Sequence, residues 1–183
     1  MYNNPRRVLH WDRVNNPKSV FAVTVATALG AGLFPLAPGT FGTVVGVVLS
    51  YSTNDYSTFL KILIWVSVFL IGTWSAKVID ETMKTGDNQN IVIDEVLGLG
   101  ISAWTAGTQT KTLIAAFLLF RLFDMVKPFP IRSLDNWSKT KATGGNHEAS
   151  YWWSGFGVMA DDVLAGVYAL LIILVLQHLS YLP

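Results

Sequence analysis

Cysteine is absent from the 183-residue chain. That excludes a thiol nucleophile, a disulfide framework and cysteine metal ligands. Charge is scarce: 14% of residues are Asp, Glu, Lys or Arg, against about 25% in ordinary soluble domains. Two long stretches carry none of the four, Ser19 to Asn54 and Val163 to Pro183. Each is long enough for the ~20 residues of a spanning helix, so the chain reads as an integral membrane protein in contact with the bilayer. A net charge of +1 offers no basic surface for nucleic acid, and no nucleic-acid partner is expected. No A-x-A site follows the first apolar run, which enters a Gly/Pro loop and reads as part of the fold, not as a signal peptide. No internal repeat or linker divides the chain.

What is present is an alternation of apolar runs and polar stretches. Residues 1–18 carry Arg6, Arg7, Arg13 and Lys18 against Asp12, a basic segment that the positive-inside rule places in the cytoplasm. Phe21 to Leu33 is apolar but short. It runs into GAGLFPLAPGTFGT, Gly30 to Thr43, where four glycines and two prolines rule out a regular helix. Irregular backbone at membrane depth must be buried in protein or face water, so the first helix is read as broken or re-entrant. Helices are then expected over 41–51, 59–76, 96–104, 112–126 and 163–179, the last entered through the stretch from Gly155, with a polar cytoplasmic loop over 127–154. The fold expected is all-α: one domain, 1–183, built as a polytopic membrane helical bundle.

The segment FRLFDMVKPFPIR, Phe120 to Arg132, concentrates charge at the end of an apolar helix. Arg121, Asp124 and Lys127 follow at three-residue spacing, which puts them on neighbouring turns of one face. Pro128 and Pro130 then stop the helix. An interfacial anchor with snorkelling cations would use the same residue types. Acidic pairs flank apolar helices twice, Asp94-Glu95 before VLGLGIS and Asp161-Asp162 before VLAGVYAL. A helix N-terminus favours a carboxylate by about 0.3–1 kcal/mol, whereas an ionisable residue at membrane depth costs about 2.5–3.5 kcal/mol. Two acidic pairs plus Asp124 on one face would repel unless cations neutralised them. Arg121 and Lys127 supply part of that, and a hard divalent cation such as Mg²⁺ suits carboxylates and phosphate oxygens. Gly98, Ala165 and Gly166 follow the pairs within one turn and let helices approach until the carboxylates meet. Gly39, Thr40 and Thr43 form a Gly-Thr loop that can cradle phosphate at a helix start, without the ending of a Walker A motif.

Four blocks resemble the phosphatidylglycerophosphatase A family of bacterial membrane lipid phosphatases. They are GAGLFPLAPGTFGT (Gly30 to Thr43), IVIDEVLG (Ile91 to Gly98), FRLFDMVKPFPIR (Phe120 to Arg132) and GFGVMADDVLAG (Gly155 to Gly166). The resemblance implies a Mg²⁺-dependent phosphomonoesterase that hydrolyses phosphatidylglycerophosphate to phosphatidylglycerol. It implies the bacterial inner membrane, with a multi-pass chain and an active site facing the cytoplasm. By motif position, Asp94, Glu95, Asp124, Asp161 and Asp162 correspond to the family's acidic residues, and Lys127 and Arg132 to its basic ones. The stretch Asp135 to Trp153 looks longer than the family's loop.

The chemistry agrees. Phosphate-ester hydrolysis needs positioning and charge stabilisation. A metal set of Asp94, Glu95, Asp161 and Asp162 would face catalytic Arg121, Asp124, Lys127 and Arg132. Water activated by the cation is one candidate nucleophile; Asp124 or Thr40 forming a phospho-enzyme is the other. His10, His147 and His178 lie outside the four blocks. Rival readings are another phospholipid phosphatase or phosphotransferase, an ion- or proton-coupled carrier, and a structural subunit. A first segment that dips in and returns would bring all four blocks to the cytoplasmic side. One that crosses would leave the Pro-Gly loop on the other side.

Overall fold

Asn16 opens the first helix, α1 (Pro17–Ala26). Its side chain accepts from the Ser19 N–H at 2.8 Å while its own N–H donates back to the Ser19 hydroxyl, with Pro17 in the first turn. That reciprocal cap satisfies donors a helix start leaves open. The computed structural model describes residues 9–85, 88–144 and 147–183. Among them are six further helices and no strand: α2 (Pro38–Ser52), α3 (Thr58–Met83), α4 (Ile93–Ser102), α5 (Thr110–Val126), α6 (Ile131–Gly144) and α7 (His147–His178).

The first apolar segment is indeed broken, but earlier than its glycines suggest. Ala28 and Leu29 already have φ of +47° and +59°, ahead of Gly30 at +99°. Thr27 supports this reversal. Its hydroxyl donates to the Val23 carbonyl at 2.7 Å and accepts from the Gly30 N–H at 3.1 Å, and its carbonyl accepts from the Gly32 N–H at 2.9 Å. The Val92 N–H, just ahead of α4, donates to the Ala26 carbonyl at 2.8 Å. Backbone groups freed by the break are thus paired inside the protein. The segment runs antiparallel to α3. Arg13 bonds the Met83 carbonyl, Phe21 packs on Trp74, and Ala28 and Leu29 share an apolar groove with Val68. It then doubles back, so that Gly32 abuts Asn90 and α2 begins at Pro38.

Two helices, 58–83 and 148–178, are long and apolar enough to cross a membrane. The 26 residues of α3 make about 39 Å and the 32 of α7 about 48 Å. The further crossings expected over 41–51, 96–104 and 112–126 meet helices of 15, 10 and 17 residues, about 22, 15 and 26 Å. A hydrocarbon core is about 30 Å thick.

The short helix α4 forms the centre. It packs against α2, α3, α5 and α7, and most of its residues are buried. Its closest neighbour is α7. A Cβ on Gly166 would lie 2.4 Å from the Gly98 carbonyl oxygen, and one on Gly98 would lie 2.3 Å from the Phe120 ring. The two backbones touch because neither glycine has a side chain, the close approach expected of the small residues after each acidic pair. One apolar cluster joins α1, α3 and the start of α4 through Ile79, Val92 and Val96; the other joins α4, α5 and α7 through Leu99, Phe120 and Ile173.

The stretch 127–154, expected to be a loop, is largely helical. It forms α6 and the first turns of α7, which begins at His147, eight residues before the expected Gly155. The physical reason is a local pairing. α6 lies along α7 with Ile131 and Ser138 buried, and Ser138 sits so close that a Cβ on Gly157 would be 2.2 Å from its hydroxyl. Tertiary packing overrides a composition rich in Ser, Thr and Lys.

Candidate active site

Three helix ends and the middle of α7 bring the charged residues together. Asp94 and Glu95 lie in the first turn of α4. Asp161 and Asp162 lie midway along α7, where the Gly98–Gly166 crossing holds it against α4. Arg121 and Asp124 lie in the last turns of α5, and Lys127 caps it in the left-handed conformation at φ +45°. Gly39, in the first turn of α2, completes the wall. A Cβ there would lie 2.2 Å from Glu95 Oε1, so only glycine permits this approach. These residues line a cavity of about 340 Å³.

The charges are unevenly matched. Among the described residues, six carboxylates line the cavity, from Asp94, Glu95, Asp124, Asp135, Asp161 and Asp162, against two cations, Arg121 and Lys127. Arg121 Nη1 lies 2.7 Å from Asp124 Oδ2 and 3.7 Å from Glu95 Oε1. Lys127 pairs with Asp161 and stands 3.5 Å from Asp135 Oδ1. Burial pulls the Lys127 pKa down, but the Asp161 carboxylate more than offsets this and, with Asp135, holds the ammonium above its ordinary range. Lys127 therefore stays charged.

Asp94, Glu95 and Asp162 share, among the described residues, only the longer Arg121–Glu95 contact with a cation. One carboxylate oxygen from each lies within 4.8 Å of the others. Glu95 Oε2 and Asp162 Oδ2 are buried with no hydrogen-bond partner among the described residues, as is Asp161 Oδ1. Burial, reinforced by Glu95, holds the Asp94 carboxyl well above the usual carboxylate range. Burial likewise pushes Glu95 up to about 8. A divalent cation among the three would hold them ionised and satisfy oxygens that no described residue satisfies. The donor set is all carboxylate, which suits a hard cation. The residues fit a metal.

A family model described as phosphatidylglycerophosphatase A matches residues 24–177, a span that contains every residue lining the cavity. The chain belongs to this family. It is therefore an enzyme, a phosphatase of the hydrolase class. The Haemophilus influenzae phosphatidylglycerophosphatase A is 33% identical over 178 residues, covering 96% of each chain. The Escherichia coli phosphatidylglycerophosphatase A is 30% identical over 167 residues, 91% of this chain and 87% of that one. A Bacteroides thetaiotaomicron protein named as a putative phosphatidylinositol-3-phosphatase is 32% identical over 166 residues, 86% of this chain and 94% of its own. No solved structure matches the chain.

In this phosphatase the acidic residues expected from sequence gather at one cavity, in two roles. Asp94, Glu95 and Asp162 form the triad, while Asp161 turns one oxygen to Lys127. Arg121, Asp124 and Lys127 line the same cavity. Arg132 does not; it is exposed at the start of α6. Of the Gly-Thr loop, Gly39 lines the cavity, together with Ala37 and Pro38. Thr40 stands off the wall with its N–H bonded to the Ala37 carbonyl, and the buried Thr43 hydroxyl donates to the Gly39 carbonyl at 2.7 Å. His10 and His178 are exposed away from the cavity, and the His147 side chain lies outside those described. Three polar cavity residues escaped the sequence reading: Asp135 on α6, and Asn88 and Gln89 ahead of α4. For Asp135 a signal existed, the four-residue spacing to Lys139, whose ammonium lies 2.9 Å from its carboxylate.

Proposed function

We propose that this phosphatase hydrolyses the terminal phosphate monoester of phosphatidylglycerophosphate, releasing phosphate and phosphatidylglycerol, with Mg²⁺ as its cation. The observation that carries the reading is a carboxylate triad in the cavity wall beside two fixed cations, in a chain of this family. Six carboxylates would repel a phosphate dianion. A divalent cation held by Asp94, Glu95 and Asp162, added to Arg121 and Lys127, would offset most of that charge and give the phosphate a positive centre to approach. The bound ion would supply Lewis-acid charge toward phosphoryl oxygens.

The chain's own residues do the rest. Arg121 presents a planar donor fork suited to two phosphate oxygens, and Asp124 orients that fork through its 2.7 Å contact. Lys127, kept protonated, adds a compact positive charge from the α5 cap. Its pairing with Asp161 and Asp135 prevents it from collapsing onto the triad. Hydrolysis adds water across the P–O bond, and the leaving alcohol takes a proton. This reading takes water as the nucleophile. It gives Thr40 no part and leaves Arg132 to attract anionic lipid at the rim.

We further propose that the bundle crosses the bacterial inner membrane several times with the cavity facing the cytoplasm, its first segment re-entering from that side. The basic residues 1–18, the reversal at Ala28 to Gly30 and its return to the cavity support this. The function is tested by phosphate release from phosphatidylglycerophosphate by the purified chain in detergent, with and without Mg²⁺. No release under either condition would reject it.

A further inference from the structure

Asp80 is a fully buried carboxylate that the reaction above does not use. It lies near the end of α3 and joins three parts of the molecule. The Ser154 hydroxyl of α7 donates to its Oδ2 at 2.6 Å. The Thr85 hydroxyl and the Asn88 N–H, both from the connection between α3 and α4, donate to its Oδ1 at 3.0 and 3.2 Å. Asn88 in turn holds the next residues. Its Oδ1 accepts from the N–H and the side-chain amide of Asn90, each at 3.0 Å, and its carbonyl accepts from the Ile91 N–H at 2.9 Å. A buried carboxylate is tolerated where several donors satisfy it, and here the donors fix a turn.

That turn forms a wall of the cavity. Asn88 and Gln89 both line it, but they differ. Asn88 is buried and its side chain holds the turn, whereas Gln89 is exposed. Among the described residues lining the cavity, these two carry its uncharged polar side chains. The charged donors, Arg121 and Lys127, come from the end of α5. Phosphate is read by charge. The alcohol to which it is esterified is neutral and is read by groups that both donate and accept, as an amide does. Relatives of this chain carry names with two different lipid head groups, so the alcohol is the part of the substrate that must be told apart.

Resting on the proposed phosphatase reading, we infer that the 88–91 turn is the head-group wall of the site: Gln89 contacts the hydroxylated alcohol next to the scissile phosphate, and Asp80 is its positioning residue. A site that hydrogen-bonds a hydroxyl discriminates against analogues lacking it. Loss of the amide therefore flattens the preference for a head group bearing a hydroxyl.

The test compares kcat/KM for phosphatidylglycerophosphate with that for phosphatidic acid, whose phosphate carries no head-group alcohol. The full chain is used in mixed micelles with Mg²⁺. Gln89→Leu is expected to lower the ratio of the two by about tenfold, the scale of one hydrogen bond to a neutral group. Asp80→Asn should lower the same ratio, and the double variant should fall no further, because both changes remove one effect. If Asp80→Asn fails to accumulate, Ser154→Ala takes its place, since it removes one of the donors and leaves the carboxylate. A merely structural Asp80 would lower both substrates alike and add independently to Gln89→Leu, which overturns the positioning role. A ratio within about twofold of the unaltered chain in Gln89→Leu overturns the head-group wall while leaving the phosphatase reading intact. Absence of phosphate release from either lipid by the unaltered chain overturns both.

Discussion

Asp124 and Lys127 sit one turn apart on α5, yet the structure gives them different neighbours. Asp124 is paired with Arg121, and Lys127 reaches across to Asp161 and Asp135 on two other helices. A helix anchor needs only charge and length, so Lys127→Arg would be harmless if anchoring were its role. A planar guanidinium does not fit between two carboxylates placed for an ammonium, and turnover should fall. Asp124→Asn keeps size and polarity while releasing Arg121. It should lower lipid-phosphate turnover by at least about 10²-fold, with the amount of folded, inserted protein unchanged. The measurement is turnover per mole of inserted protein, and near wild-type values for both variants would restore the anchor. Sequence disclosed Asp94, Glu95, Asp161 and Asp162 because carboxylates beside apolar helices are costly and therefore conspicuous. Asp135 and Gln89 were hidden for the opposite reason: each lies in a stretch of Lys, Thr, Ser and Asn where any polar residue looks solvated.

At the scale of elements, the crossing of α4 and α7 sets the distance between the two acidic pairs. Gly98 and Gly166 are the contact, backbone against backbone. Gly166→Ala would place a methyl group 2.4 Å from the Gly98 carbonyl oxygen, so the helices must move apart. Overpacking of this kind costs about 1–3 kcal/mol, and it would also separate Asp162 from Asp94. Thermal unfolding in detergent should show a lower Tm together with a weaker Mg²⁺ response. An unchanged Tm would mean the crossing is not as tight as described. The small residues made this crossing legible in advance. The end of α1 was not, because it depends on Thr27 and on a bond from Val92, a residue 66 positions after Ala26. Nor was α6 legible, since its helix is held by packing on α7 and follows two prolines that mark only where α5 stops.

For the whole molecule, the account requires the cavity and the basic start to share one side of the membrane. A chain without cysteine is well suited to testing this. Single cysteines at Gln89 and Lys141 should react with a membrane-impermeant thiol reagent from the cytoplasmic side, and one at Asp55 from the other. All three positions are exposed, whereas the neighbouring Asn88 is 1% exposed and would be silent. Labelling of 89 and 141 from opposite sides would contradict the proposed orientation. The central claim is that Asp94, Glu95 and Asp162 of this phosphatase hold the cation its chemistry needs. It is tested most directly by phosphate release from phosphatidylglycerophosphate before EDTA, after EDTA, and after Mg²⁺ is returned. The account predicts loss of release on chelation and its recovery with Mg²⁺; full activity in the metal-stripped enzyme would contradict it.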